Sequence, residues 1–157
     1  MTKAAKFPTA VSPLDAHLGY WLRFVSNHVS QAFARRLAGR EVTVAEWVVL
    51  RELWEGDVLA PSMLADRLGM TRGAISKLAD RLVAKALVAR AAGETDRRRQ
   101  TLRLTAAGSA LVPDLAALAD RNDAEFFAHL APADRSALEA TLKSLVRHHD
   151  LKAVPLA

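Results

Sequence analysis

A mainly α-helical chain carrying one small β-hairpin is predicted, on three observations. Apolar residues recur at three- and four-residue steps along most of the 157 residues. Helix-starting residues stand ahead of each such run, at Ser12-Pro13, Thr43 to Glu46, Ala60-Pro61, Thr105 and Pro132 to Asp134. Between Leu87 and Leu104 alone the period falls to two.

The elements follow in order. Residues 1–11 read as a disordered tail. Ser12-Pro13 starts a helix with proline at its first position, and Leu14, Leu18, Trp21, Val25, Val29 and Ala32 form its apolar stripe. Leu22, Phe33 and Leu37 widen that stripe, so the helix needs cover on more than one side, and Gly39 is its expected terminator. Thr43-Val44-Ala45-Glu46 has the form of a capping box, opening a second helix that carries Trp47, Val48 and Trp54 and stops near Gly56-Asp57. Ala60-Pro61-Ser62 opens a short third helix, and Gly69-Met70-Thr71 turns tightly into a fourth with Ile75, Leu78, Ala79 and Leu82 inward. Leu87 to Ala91 and Thr101 to Leu104 alternate as two strands around a basic tip. Thr105 caps a long fifth helix that Pro113 should bend or interrupt, and Pro132 begins the last.

Composition narrows the function. No apolar run reaches the roughly 18 residues of a membrane span, and Phe7 to Pro13 lacks the apolar core of a signal peptide, so a cytoplasmic protein is expected. The absence of cysteine removes disulfides and thiolate metal sites. The net charge of +5 says little by itself, but its placement is informative. Residues 60–105 hold ten Lys+Arg against four Asp+Glu, a net +6, and the remainder carries −1.

Within that basic stretch Ala65, Gly69 and Ile75 have helix-turn-helix spacing. The small residue permits a close crossing, glycine supplies the positive φ of the turn, and the branched residue fills the gap behind the second helix. A plain helical hairpin is the alternative. On a wheel of about 100° per residue, Gly73, Lys77, Asp80 and Ala84 of the fourth helix face outward, flanked by Ala74, Ser76 and Arg81. Gly73 and Ala74 lack bulk, so that helix could sit deep in a major groove, with Lys77 near base edges or phosphate and Thr71 and Arg72 placed for the backbone. Lys85 reads as solvated surface. The tip between the strands, with Asp96, Arg97, Arg98 and Arg99, is suited to a narrow minor groove, where Asp96 could hold a neighbouring guanidinium.

Leu87-Val88, Asp96-Arg97-Arg98 and Leu104-Thr105-Ala106-Ala107-Gly108 resemble the wing signature of the multiple-antibiotic-resistance regulator (MarR) family, in which Asp-x-Arg precedes a Leu-Thr-x-x-Gly helix start. The resemblance spans about residues 14–147. It implies a winged helix-turn-helix homodimer, with Asp96 and Arg98 as the Asp-x-Arg pair and Arg98 as the minor-groove arginine. On that basis residues 43–104 form the DNA-binding lobe, while residues 12–40 and 105–150 form a helical dimerisation region. The expected protein is a repressor on a pseudo-palindromic double-stranded DNA operator.

The resemblance also implies a small aromatic or anionic effector. Trp21, Phe24, His28, Trp47 and Arg51 are the candidates for it, since Trp47 and Arg51, like Trp21 and His28, share a helix face. For any single one of them, a core aromatic or a hydrogen-bonded histidine is the alternative reading. His148-His149-Asp150, with His17, His28 or His129, raises a metal-responsive regulator as an alternative, but adjacent helical histidines point about 100° apart. No metal site or cofactor is therefore expected. The chain has no phosphate-binding glycine loop, His-x-x-x-His pair or Gly-x-Ser-x-Gly elbow, so an enzyme is not expected. A helix-turn-helix interaction module that never touches DNA is the remaining alternative, and the outward Lys77 and basic tip argue against it.

Overall fold

The computed structural model describes residues 10–93 and 99–152. Six α-helices are formed among them: α1 (Leu18–Ala38), α2 (Val44–Gly56), α3 (Pro61–Leu68), α4 (Arg72–Ala84), α5 (Ala106–Phe127) and α6 (Pro132–His148). Strands β1 (Val58–Leu59), β2 (Val88–Ala92) and β3 (Gln100–Leu104) make an antiparallel sheet in the order β1-β3-β2.

Helix starts follow the capping residues in the chain. Thr43 Oγ1 accepts from the Glu46 amide at 3.1 Å, and the Glu46 carboxylate accepts from the Thr43 amide at 3.0 Å, closing the capping box. Thr71 and Thr105 cap α4 and α5 by accepting from Ala74 and Gly108 amides, each at 3.1 Å. Proline opens both α3 and α6.

Three expectations need correction. The first helix does not run on from Ser12-Pro13: Leu14–Ala16 form one 3₁₀ turn and extended His17 separates it from α1. The Trp21 indole donates to the Asp15 carbonyl at 2.8 Å, and the exposed Leu14 and Leu18 give a continuous first turn no packing to stabilise it. Gly39 does cap the end of α1 as expected, but in a right-handed conformation; the left-handed residue that follows is Glu41, with the Val42 amide donating back to Leu37 O at 3.2 Å. Of the bend or interruption expected at Pro113, the interruption does not occur, because Val112 and Leu115 on either side are buried and packing outweighs one lost hydrogen bond. The hairpin gains a third strand, β1, with Val58 opposite Arg103 and Leu59 opposite Leu102.

Burial is concentrated in the middle of the chain. Val49, Leu50, Leu64, Ile75, Leu82 and Leu102 are solvent-free, with Leu53 nearly so, and Leu115 of α5 closes the same core. The junction from β2 to α5 is tightly knit: the Thr105 amide donates to Leu87 O at 3.0 Å, and its hydroxyl donates to Ala86 O at 2.7 Å. Gly108 sits against this turn, where a Cβ would lie 2.1 Å from Leu87 O. α1 and α6 contribute differently. Leu37 is the one buried residue of α1, α6 has none, and Leu18, Leu22, Val25, Leu138, Leu142 and Leu145 are exposed. Buried Asn122 ties α1 to α5, donating to Val29 O at 3.1 Å and accepting from Arg36, which also pairs with Glu125. No helix among the described residues is long and apolar enough to cross a membrane.

Ala86 ends α4 in the left-handed conformation at φ 58°, with the Leu87 amide donating to Leu82 O at 3.0 Å. Ala86→Gly is expected to raise unfolding stability by about 1 kcal/mol, whereas Gly108→Ala should lower it by about 1–3 kcal/mol through backbone overlap. Urea unfolding midpoints of the two variants, moving in opposite directions, check both.

Candidate nucleic-acid interface

Three residues set how α3 and α4 cross. Ala65 is 4% exposed and Ile75 is solvent-free, so their side chains lie in the contact between the helices and the core. Gly69 takes φ 62°, and the Met70 amide donates to Ala65 O at 3.0 Å, which reverses the chain within three residues. Leu78, Ala79 and Leu82 face the core with Ile75, so the opposite side of α4 must face solvent.

That side presents Arg72, Gly73, Ser76, Lys77, Asp80 and Arg81, all exposed, with Ala74 half-buried beside them. A Cβ at Gly73 would meet nothing within 4 Å, so the helix surface is open there. An open concavity of about 410 Å³ lies along Thr71, Gly73, Ala74, Lys77 and Arg81, with Ala45 of α2 on its far side. Thr71 is committed first to capping; its oxygen accepts from Ala74, which leaves the hydroxyl proton free to donate outward. Free amides at the start of α4 add their partial positive charge to Arg72.

Two ion pairs steady α4, and neither was anticipated from the sequence. Lys85, expected to be solvated surface, donates to the Glu46 carboxylate at 2.8 Å and to Glu41 O at 2.6 Å. Glu46 is 1% exposed, so its capping role and its pairing with Lys85 are one buried arrangement that joins the start of α2 to the end of α4. On the outer flank, Arg90 of β2 reaches Asp80 at 2.6 Å. The spacing of Thr43 and Glu46 announced the cap, but a pair separated by 39 residues in sequence has no periodic signal.

The tip of the hairpin is described only in part. Asp96, Arg97 and Arg98 lie outside the described residues. Arg99 is exposed, and its carbonyl accepts from the Gly93 amide at 2.6 Å, which closes the ladder below the tip.

The residues considered for an effector fall into two groups. Trp21, Phe24 and His28 form a ring cluster along α1, with centroids 6.4 Å and 5.0 Å apart and both larger rings half exposed. Trp47 instead packs edge-on to Phe33 at 6.2 Å, and Arg51 lies 2.6 Å from the Glu55 carboxylate one turn along α2. Among the described residues no group of three His, Cys, Asp or Glu side chains could hold a metal ion. His148 and His149 pack ring against ring, with centroids 4.8 Å apart.

Residues 41–99 match a model of the MarR family. A Thauera aromatica protein named for transcriptional regulation of the hcr operon is 32% identical over 135 residues, covering 85% of this chain and 81% of that protein. Among solved structures, a Pseudomonas aeruginosa protein described as a probable transcriptional regulator is 26% identical with a TM-score of 0.75, over 85% of this chain and 99% of its own. A mutant MarR from E. coli complexed with operator DNA is 25% identical with a TM-score of 0.74, over 82% of this chain and 93% of its own.

Lys85→Ala should lower unfolding stability by about 1–2 kcal/mol by leaving the buried Glu46 carboxylate unpaired, the lower end reflecting the partial exposure of Lys85. Lys85→Arg should recover most of the loss in the same denaturant titration. An unchanged midpoint in Lys85→Ala would mean that water satisfies Glu46.

Proposed function

Because the chain belongs to the MarR family, whose members are DNA-binding transcription regulators, we propose that it acts in the cytoplasm as a homodimeric repressor on a pseudo-palindromic operator. The observation that carries this reading is the outward side of α4. It has a small-residue opening at Gly73 and Ala74, cations at Arg72, Lys77 and Arg81, and a core-locked back. A helix of this kind enters a major groove N-terminus first, reads base edges with its first turns, and holds phosphates with its flanking cations.

The uncovered apolar residues of α1 and α6 support a second copy. A two-fold protein would then present two α4 helices to half-sites about 10 base pairs apart. In this reading the arginines of the hairpin tip, Arg97, Arg98 and Arg99, reach the flanking minor groove, with Arg98 as the inserted one and Asp96 orienting it. Thr71 and Ser76 donate to the backbone or to bases from either side of Gly73.

A small aromatic or anionic effector would act by binding better to a dimer in which the two α4 helices stand at the wrong spacing. The exposed rings of Trp21 and Phe24, with His28 beside them, supply stacking surface on α1. Trp47 with Arg51 would need the Arg51–Glu55 pair to open before a carboxylate could be held.

Fluorescence anisotropy with a duplex carrying the promoter region of its own gene tests the docking face. Gly73→Glu should weaken binding on the order of a hundredfold, by bulk and by placing a carboxylate against the duplex. The open space around Gly73 should leave its melting temperature near that of the parent chain. Lys77→Ala should reduce the slope of log affinity against log salt by about one. Parent-like affinity in Gly73→Glu together with a parent-like slope in Lys77→Ala would overturn the proposed face.

A further inference from the structure

Asp80 poses a problem for the proposed docking face. It shares the outward side of α4 with Gly73 and Lys77, and its side chain is 63% exposed. A bare carboxylate there would meet the phosphate potential of a duplex, and repulsion of that kind costs affinity. The fold supplies an answer: the Arg90 guanidinium comes from β2 and donates to Asp80 at 2.6 Å.

We propose that Arg90 is a positioning residue for DNA binding, which neutralises Asp80 where the hairpin meets the outer flank of α4. The inference rests on the functional reading above and deepens it. Arg90 acts through Asp80, not by gripping the duplex itself. Its place in β2 explains why it can do so. Arg90 stands opposite Leu102, which is solvent-free in the core, and Ala89 opposite Arg103 marks the other side of the pleat. The strand is therefore anchored where Arg90 leaves it, and the short reach to Asp80 spans the join between helix and hairpin. Any rotation of the described part of the hairpin away from α4 would break the pair. An arginine suits this task better than a lysine, since its planar fork holds direction as well as charge.

A charge-neutralising role and a phosphate-gripping role predict opposite patterns in a double-mutant cycle on the full chain, read by anisotropy with the promoter duplex at several salt concentrations. If Arg90 neutralises Asp80, Arg90→Ala loses roughly tenfold in affinity because the carboxylate is bared. Asp80→Asn with Arg90→Ala then recovers to within about threefold of the parent, since no bare charge is left. Arg90→Lys keeps the charge within reach and should bind more tightly than Arg90→Ala, which guards against a loss caused by misfolding. Equal losses in Arg90→Ala and in the double variant, with the salt slope falling by about one in both, would make Arg90 a phosphate contact and overturn the proposal. Parent-like affinity in Arg90→Ala would overturn it as well. Failure of the parent chain itself to bind any duplex would overturn the functional reading, and the positioning role with it; parent binding with either of the other patterns removes the positioning role alone.

Discussion

The crossing of α3 over α4 is the contact on which the lobe depends. Gly69 reverses the chain in a left-handed turn, Ala65 keeps the helices close, and Ile75 fills the space behind them. Together they set the rotation of α4 about its own axis. A roll by one residue, about 100°, would bring Leu78 toward water and shift Lys77 to the flank where Ser76 stands. The remaining attachments hold that rotation in place. Thr71 caps the start of α4, Ala86 and the Lys85–Glu46 pair fix its end, and Arg90 fastens its flank. An outward helix held at both ends and one side is suited to a rigid surface such as a DNA groove, where a displacement of the helix would misplace every contact at once.

A second constraint comes from the terminal helices. In one copy α1 and α6 have almost no core of their own, and their apolar residues stay in water at a cost that a second copy would remove. These helices are nevertheless firmly connected to the lobe. Asn122 and Arg36 join α1 to α5, and Thr105 with Gly108 joins the start of α5 to the hairpin. A shift in how two copies meet along α1 would therefore pass through α5 to the hairpin and α4 as rigid-body movement, the kind of transition an effector could exploit.

Much of this was legible in the residues. The capping box at Thr43 and Glu46, the Thr105 cap, the glycine turn and the inward stripe of α4 each follow from a local rule that uses a few neighbouring positions. What the sequence concealed depends on distant partners or on residues acting against type. Glu41 and Ala86 take left-handed conformations that glycine would signal, and two-residue β1 is too short for any period. His17 interrupts the first helix because an indole from the next turn takes a carbonyl, which no count of apolar positions reveals. In the candidate interface, the exposed side of α4 was readable from its wheel, whereas Lys85 and Arg90 acquire their partners only through the tertiary fold. The effector candidates separated for the same reason: shared helix faces placed Trp21 with His28 and Trp47 with Arg51, but could not say whether the two pairs meet.

Selection of bound fragments from random duplex DNA by the full chain tests the central claim most directly, since it reads symmetry, spacing and sequence preference together. The account predicts enrichment of an inverted repeat whose half-site centres lie about 10 base pairs apart. Enrichment of a single unrepeated site, or no enrichment over the starting pool, would contradict it.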